Sequence, residues 1–228
     1  MRWIVKHLAA LAILLLVCVA AAADQRIDTT NVVRICVVDS SPERSWGSGA
    51  YLGQKLVLTC AHLFDDTSSI QGNVWFSDGE QHAFILRQID HQWDQAVLEL
   101  RTQPRGKTGL PIATRNPQIG DTVYAYGYGQ DNIVYVTEGR VVNYKAAQAY
   151  PQTTDWLEMS GRVDQGSSGG PIVNAAGQIV GNLWGVSVNA PYQTVGVLAG
   201  RTRRFLLPWN AKLEAYAISQ GWCPPGGT

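Results

Sequence analysis

Twelve short runs rich in Val, Ile, Tyr and Trp, each bounded by Gly, Pro, Asn or Asp, occupy most of the sequence after residue 30. The first six are "VVRICVV" (Val32–Val38), "GAYL", "KLVLTCA", "NVWF", "AFILRQI" and "AVLEL". The later six are "DTVYAYGYG", "IVYVTEGRVVNY", "DWLEM", "GPIVN", "GQIVGNLWGVSV" and "TVGVLAG". β-Branched and aromatic runs set between turn formers read as strands. Apolar residues at a period of 3.6 are scarce before residue 200, so helices do not build the core. Many evenly spaced strands in 228 residues lead to an all-β barrel or sandwich.

The stretch "QPRGKT" (Gln103–Thr108), with Pro111 and Pro117 soon after, reads as a connector between two β halves of similar size. The first half falls at about 31–105 and the second at about 112–200. Residues 201–228 form a C-terminal helix and tail, with "RTRRFLLPWNAKLEAYAISQ" as the helix and Pro208 interrupting or restarting it.

The first 23 residues stand apart. Arg2 and Lys6 make a positive start, Leu8 to Val19 is apolar, and Ala21-Ala22-Ala23 offers a cleavage site before Asp24. A membrane span needs roughly 20 apolar residues. The run is short for that, so a secretory signal peptide (1–23) is expected, followed by one domain over 24–228 and export to the periplasm or medium. Its removal takes two basic side chains from a balanced eighteen-to-eighteen charge count. The slight acidic excess gives no footprint for nucleic acid or an anionic membrane. Cys36, Cys60 and Cys223 then remain, an odd number at no zinc spacing, so at least one thiol stays unpaired within the monomer. A Cys36–Cys60 bridge is open to both outcomes.

Chemistry concentrates around residue 160, in "GRVDQGSSGGPIVNAAGQIVG". Adjacent Ser167 and Ser168 lie among glycines that let main-chain N–H groups converge on one small space. A nucleophilic serine also needs a base, an acid to orient it and donors for the oxyanion. His62 ends an apolar strand in "GQKLVLTCAHLF", whereas His82 ("DGEQHAF") and His91 ("IDHQWD") sit among polar residues, as surface loops do. Asp94 precedes the strand "AVLEL". Taken singly, His62 reads as a strand cap and Asp94 as a turn residue.

Together, "GSGAYL…VLTCAH", "WDQAVLEL" and "QGSSGGPIV" resemble the trypsin/chymotrypsin-fold serine peptidases, in the order His, Asp, Ser, over nearly all of the mature chain. The resemblance implies two six-stranded antiparallel β-barrels, a short C-terminal helix and an active site in the cleft between barrels. It implies His62 as base, Asp94 as its orienting acid and Ser168 as nucleophile, with Gly166 and Ser168 N–H groups as the oxyanion hole. A polypeptide is the implied substrate, and no cofactor or metal is called for.

Ser167 departs from the vertebrate enzymes, which place there an aspartate that receives a newly cut N-terminus. The chain is in this respect similar to bacterial HtrA-type and related peptidases, without a PDZ domain, and no activation cleavage beyond leader removal is expected. Leu63 follows His62, so the vertebrate bridge at that position is absent. The resemblance also gives a substrate pocket from Arg162, Val163, Trp184, Gly185, Val186 and Gly196. Arg162 either faces into it and repels basic side chains or points away and leaves an apolar pocket around Val163; the second is preferred. Trp184 is bulky enough to narrow it. Two rival readings are a silent peptidase-like binding module and an esterase on another fold. The latter needs a histidine after the serine, and none follows His91.

Overall fold

The computed structural model describes residues 29–37, 45–65, 71–145, 155–187 and 193–219. The expected leader and Cys223 lie outside them. Strands β1 (Val32–Val37), β2 (Ser45–Gly53), β3 (Leu56–Thr59), β4 (Gln71–Phe76), β5 (Gln81–Asp90) and β6 (Gln95–Leu100) close into one barrel, ordered β1-β2-β3-β6-β5-β4. The second barrel is made by β7 (Thr122–Tyr128), β8 (Val134–Lys145), β9 (Trp156–Ser160), β10 (Pro171–Asn174), β11 (Ile179–Ser187) and β12 (Gln193–Leu198). Its order is β10-β11-β12-β9-β8-β7. Neighbouring strands are antiparallel throughout. Each strand-like run of the sequence becomes one strand, and the fold is the chymotrypsin-like double barrel.

Alternation along the strands explains why so many runs are apolar on both faces. Val57 points into the first barrel, while Leu56 and Leu58 join an apolar layer between the barrels. β6 repeats this, with Ala96 and Leu98 inside and Val97 in the shared layer. Tyr126, Val173 and Ile179 enter that layer from the second barrel.

Helix α1 (Ala199–Phe205) and helix α2 (Asn210–Ser219) are separated by a 3-10 turn over Leu207–Trp209 that contains Pro208. They carry the chain back to the first barrel. There Gln95 Nε2 donates to Thr202 Oγ1 at 2.6 Å, and Gln88 Nε2 to the Phe205 carbonyl at 3.0 Å.

One detail differs from expectation. His82 is not a surface-loop residue: it lies buried in β5, its Nδ1 2.6 Å from Thr102 Oγ1. Its polar neighbours along the chain concealed this, because a strand's solvent-facing residues alternate with buried ones. The Cys36–Cys60 bridge that the sequence left open is not formed, and both residues are buried.

Candidate active site

Strand register brings the parts together. Thr59 at the end of β3 pairs with Ala96 near the start of β6. His62, three residues past Thr59, and Asp94, two before Ala96, therefore share one rim of the first barrel. His62 opens a 3-10 turn (His62–Phe64) anchored by buried Leu63 and Phe64. Asp94 adopts the left-handed conformation, φ 49°, which aspartate tolerates better than most residues. This turn of the backbone aims its carboxylate at His62. Oδ1 accepts the His62 main-chain N–H and Oδ2 meets Nδ1, both at 2.8 Å. The hydrogen bond that His62 donates to Asp94 raises the His62 pKa from its ordinary value, against the opposing effect of burial. Asp94 is buried, while the His62 side chain is 37% exposed and so open to a substrate.

Ser168 stands on the other barrel, between a tight turn and β10. Ser167 N–H donates to the Asp164 carbonyl and Gly170 N–H to the Ser167 carbonyl. Gly169 presses this turn against the first barrel. Its φ is 83°, and a Cβ there would collide with Thr59 Oγ1, the Ser48 carbonyl and, at 2.8 Å, the Cys60 nitrogen. Only glycine lets Ser168 come this close to the segment leading into His62.

Ser48 ties the same turn down: its N–H donates to the Ser168 carbonyl at 2.8 Å and its Oγ to the Gly166 carbonyl at 2.7 Å. The amide N–H groups of Gly166 and Ser168 donate to no acceptor among the described residues. They are available to a ligand oxygen. Ser167 is 2% exposed and packs on Gly127 of β7.

The resting contacts of base and serine point elsewhere. Ser168 Oγ donates to the Trp184 carbonyl at a long 3.4 Å, and His62 Nε2 lies 3.5 Å from Cys60 Sγ. No Ser168–His62 hydrogen bond is formed among the described residues.

A cavity of about 300 Å³ opens beside Ser168, lined by Arg162, Val163, Asp164, Gln165, Leu183, Gly185 and Val186. Arg162 is exposed at its rim and Val163 is buried. Trp184 and Gly196 are placed differently from the pocket-lining positions expected of them. The Trp184 ring packs edge-on against Trp156, centroids 5.6 Å apart, and Trp156 in turn meets Trp93 at 6.2 Å. Gly196 faces Leu183 across β11–β12, where a Cβ would meet Ile172 and the Asn182 carbonyl. Sequence reasoning missed Ser48, the Cys60–His62 contact and this tryptophan series. The one available signal was Trp93 directly before Asp94.

Comparisons with known proteins bear on the fold and the family. Serine endoprotease DegS of Escherichia coli K12 is 30% identical over 141 residues, 60% of this chain and 39% of that protein. Serine protease HTR4 of Rattus norvegicus is 26% identical over 181 residues, 74% of this chain and 35% of that protein. The chain thus spans well under half the length of these curated relatives. The active form of the Rv3671c protease from M. tuberculosis superimposes with a TM-score of 0.69 at 22% identity, over 83% of this chain and 82% of that one. The serine endoprotease of Yersinia pestis gives 0.65 at 26% identity, over 79% and 62%. The family model of the trypsin-like peptidase domain matches residues 47–181, more than half of the sequence and a span that contains His62, Asp94 and Ser168. By sequence and by fold alike, the chain belongs to the trypsin-like peptidase domain family.

Proposed function

We propose that the chain is an exported serine endopeptidase in which Ser168 is the nucleophile, His62 its base and Asp94 the acid that orients the base. The observation that carries this reading is the two-point hold of Asp94 on His62, which engages Nδ1 and leaves Nε2 as the nitrogen to take up a proton. On substrate binding, Ser168 Oγ attacks the scissile carbonyl as its proton passes to His62 Nε2. The oxyanion takes the N–H groups of Gly166 and Ser168. His62 then protonates the departing amine, and water repeats the cycle on the acyl-enzyme.

Both resting contacts are cheaply exchanged for the productive one. Sulfur is a weak hydrogen-bonding partner, and 3.4 Å is beyond the usual range for O–H···O. Catalytic hydrogen bonds of this kind commonly tighten only around bound substrate. The Val163, Leu183 and Val186 side of the cavity favours an aliphatic side chain before the cleaved bond. The apolar leader with its Ala21-Ala22-Ala23 site supports export. The uncharged, buried Ser167 supports activity without N-terminal activation, since it has no charge to pair with a new ammonium.

A silent binding module is the second reading, and the engagement of Nε2 by Cys60 favours it. Incubation with an unfolded protein such as β-casein separates the two. Fragments that disappear in Ser168→Ala establish the peptidase; a substrate left intact from pH 7 to 9 in the presence of EDTA contradicts it and puts the binding module first.

A further inference from the structure

Cys60 directly follows β3, its side chain is fully buried, and its Sγ lies 3.5 Å from His62 Nε2. That nitrogen is the one opposite the Asp94 carboxylate. A thiolate and an imidazole bound to one tetrahedral zinc, at about 2.3 Å and 2.0–2.1 Å, stand about 3.6 Å apart. The observed spacing matches the bite of a zinc chelate. Orientation fits as well. A metal-binding histidine hands its other N–H to a carboxylate, which fixes the tautomer that leaves the ligating nitrogen bare. Asp94 Oδ2 does this at 2.8 Å, and ligand atoms of Cys60, His62 and Asp94 all lie within 4.8 Å of one another.

We propose that Cys60 Sγ and His62 Nε2 form an inhibitory site for a soft divalent cation, Zn2+ foremost, with Asp94 supporting the imidazole from behind. Water completes the coordination on the exposed side of His62. The inhibition rests on the reading of His62 as base; the binding itself does not. Zn2+ replaces the Cys60 thiol proton, which leaves to solvent, and takes the Nε2 lone pair that would accept the Ser168 proton. Mg2+ and Ca2+, which prefer oxygen ligands, have no such purchase on a sulfur and a nitrogen. A plain S–H···N hydrogen bond accounts for the same distance without any affinity for metal, so metal binding is what separates the two.

The test begins with the Ser168→Ala protein titrated with Zn2+ by calorimetry and with Co2+ by absorption. One ion per chain and a thiolate-to-Co2+ charge-transfer band are expected, both lost in Cys60→Ala. Asp94→Asn weakens binding by about 10- to 100-fold. Cys60→Ser, which keeps the size of the side chain, guards against misfolding as the cause and is checked by circular dichroism. In the wild-type chain, Zn2+ stops cleavage of β-casein, EDTA restores it, and Mg2+ has no effect. The absence of saturable binding, or a band that survives Cys60→Ala, overturns the site. Cleavage indifferent to Zn2+ overturns it too and leaves the peptidase reading intact. Zn2+ binding with the Cys60-dependent band in a chain that never cleaves substrate upholds the site and refutes the peptidase reading.

Discussion

Asp94 holds His62 at two points, the main-chain N–H and Nδ1, each at 2.8 Å. One carboxylate thereby sets both where the imidazole sits and which tautomer it adopts. Asp94→Asn keeps a residue that tolerates φ 49°, so the protein should fold. The amide favours the wrong tautomer, and kcat on a peptide substrate should fall about 10⁴-fold with a much smaller change in KM. Steady-state kinetics check this; a loss of less than tenfold contradicts the assigned role.

The same hydrogen bond gives two pH dependences of opposite sense. His62 must be neutral to accept a proton, and its pKa is raised, so kcat/KM should climb through an apparent value above the ordinary histidine range near 6.5. Stability runs the other way. A raised folded-state pKa contributes stability that is fully present below the unfolded value and fades as pH rises through the folded one. Thermal melts of the wild type and His62→Ala across that window should converge as the pH rises.

Ser48 joins the barrels through one buried hydroxyl. Its Oγ donates to the Gly166 carbonyl at 2.7 Å and accepts the Tyr128 N–H at 2.8 Å. Ser48→Ala leaves a buried N–H unsatisfied, at a cost of about 1–3 kcal/mol. It also frees the turn that presents the oxyanion donors. Denaturant unfolding should show the first effect, and a drop in kcat larger than any rise in KM the second.

Gly169→Ala forces a Cβ into the Thr59–Cys60 segment at φ 83°. The strained backbone and the overpacking together should destabilise the fold by about 2–6 kcal/mol. Activity should be lost even below the melting temperature, because the turn can relieve the clash only by carrying Ser168 away from His62. Wild-type turnover in this variant contradicts the close approach described here.

What the sequence made legible was local. The run "AVLEL" reads as a strand and "GSSGGP" as a turn because their residues constrain their own backbone. The order His62, Asp94, Ser168 was visible for the same reason, each lying beside a readable strand. The Ser48 clasp depends on distances across two barrels, and so does the tryptophan series from Trp93 through Trp156 to Trp184. Trp184 was expected to narrow the pocket, but its ring packs on Trp156, a residue 28 positions earlier brought near by pairing of β9, β12 and β11. His82 looked exposed because its chain neighbours are polar, whereas burial in a strand is decided by which face a residue occupies.

Reaction of the purified protein with a fluorophosphonate, followed by mass mapping of the adduct, reads out whether Ser168 is a nucleophile activated by His62. A single adduct on Ser168, abolished by His62→Ala, is expected. Folded protein that stays unlabelled from pH 7 to 9, or is labelled equally well without His62, would contradict it.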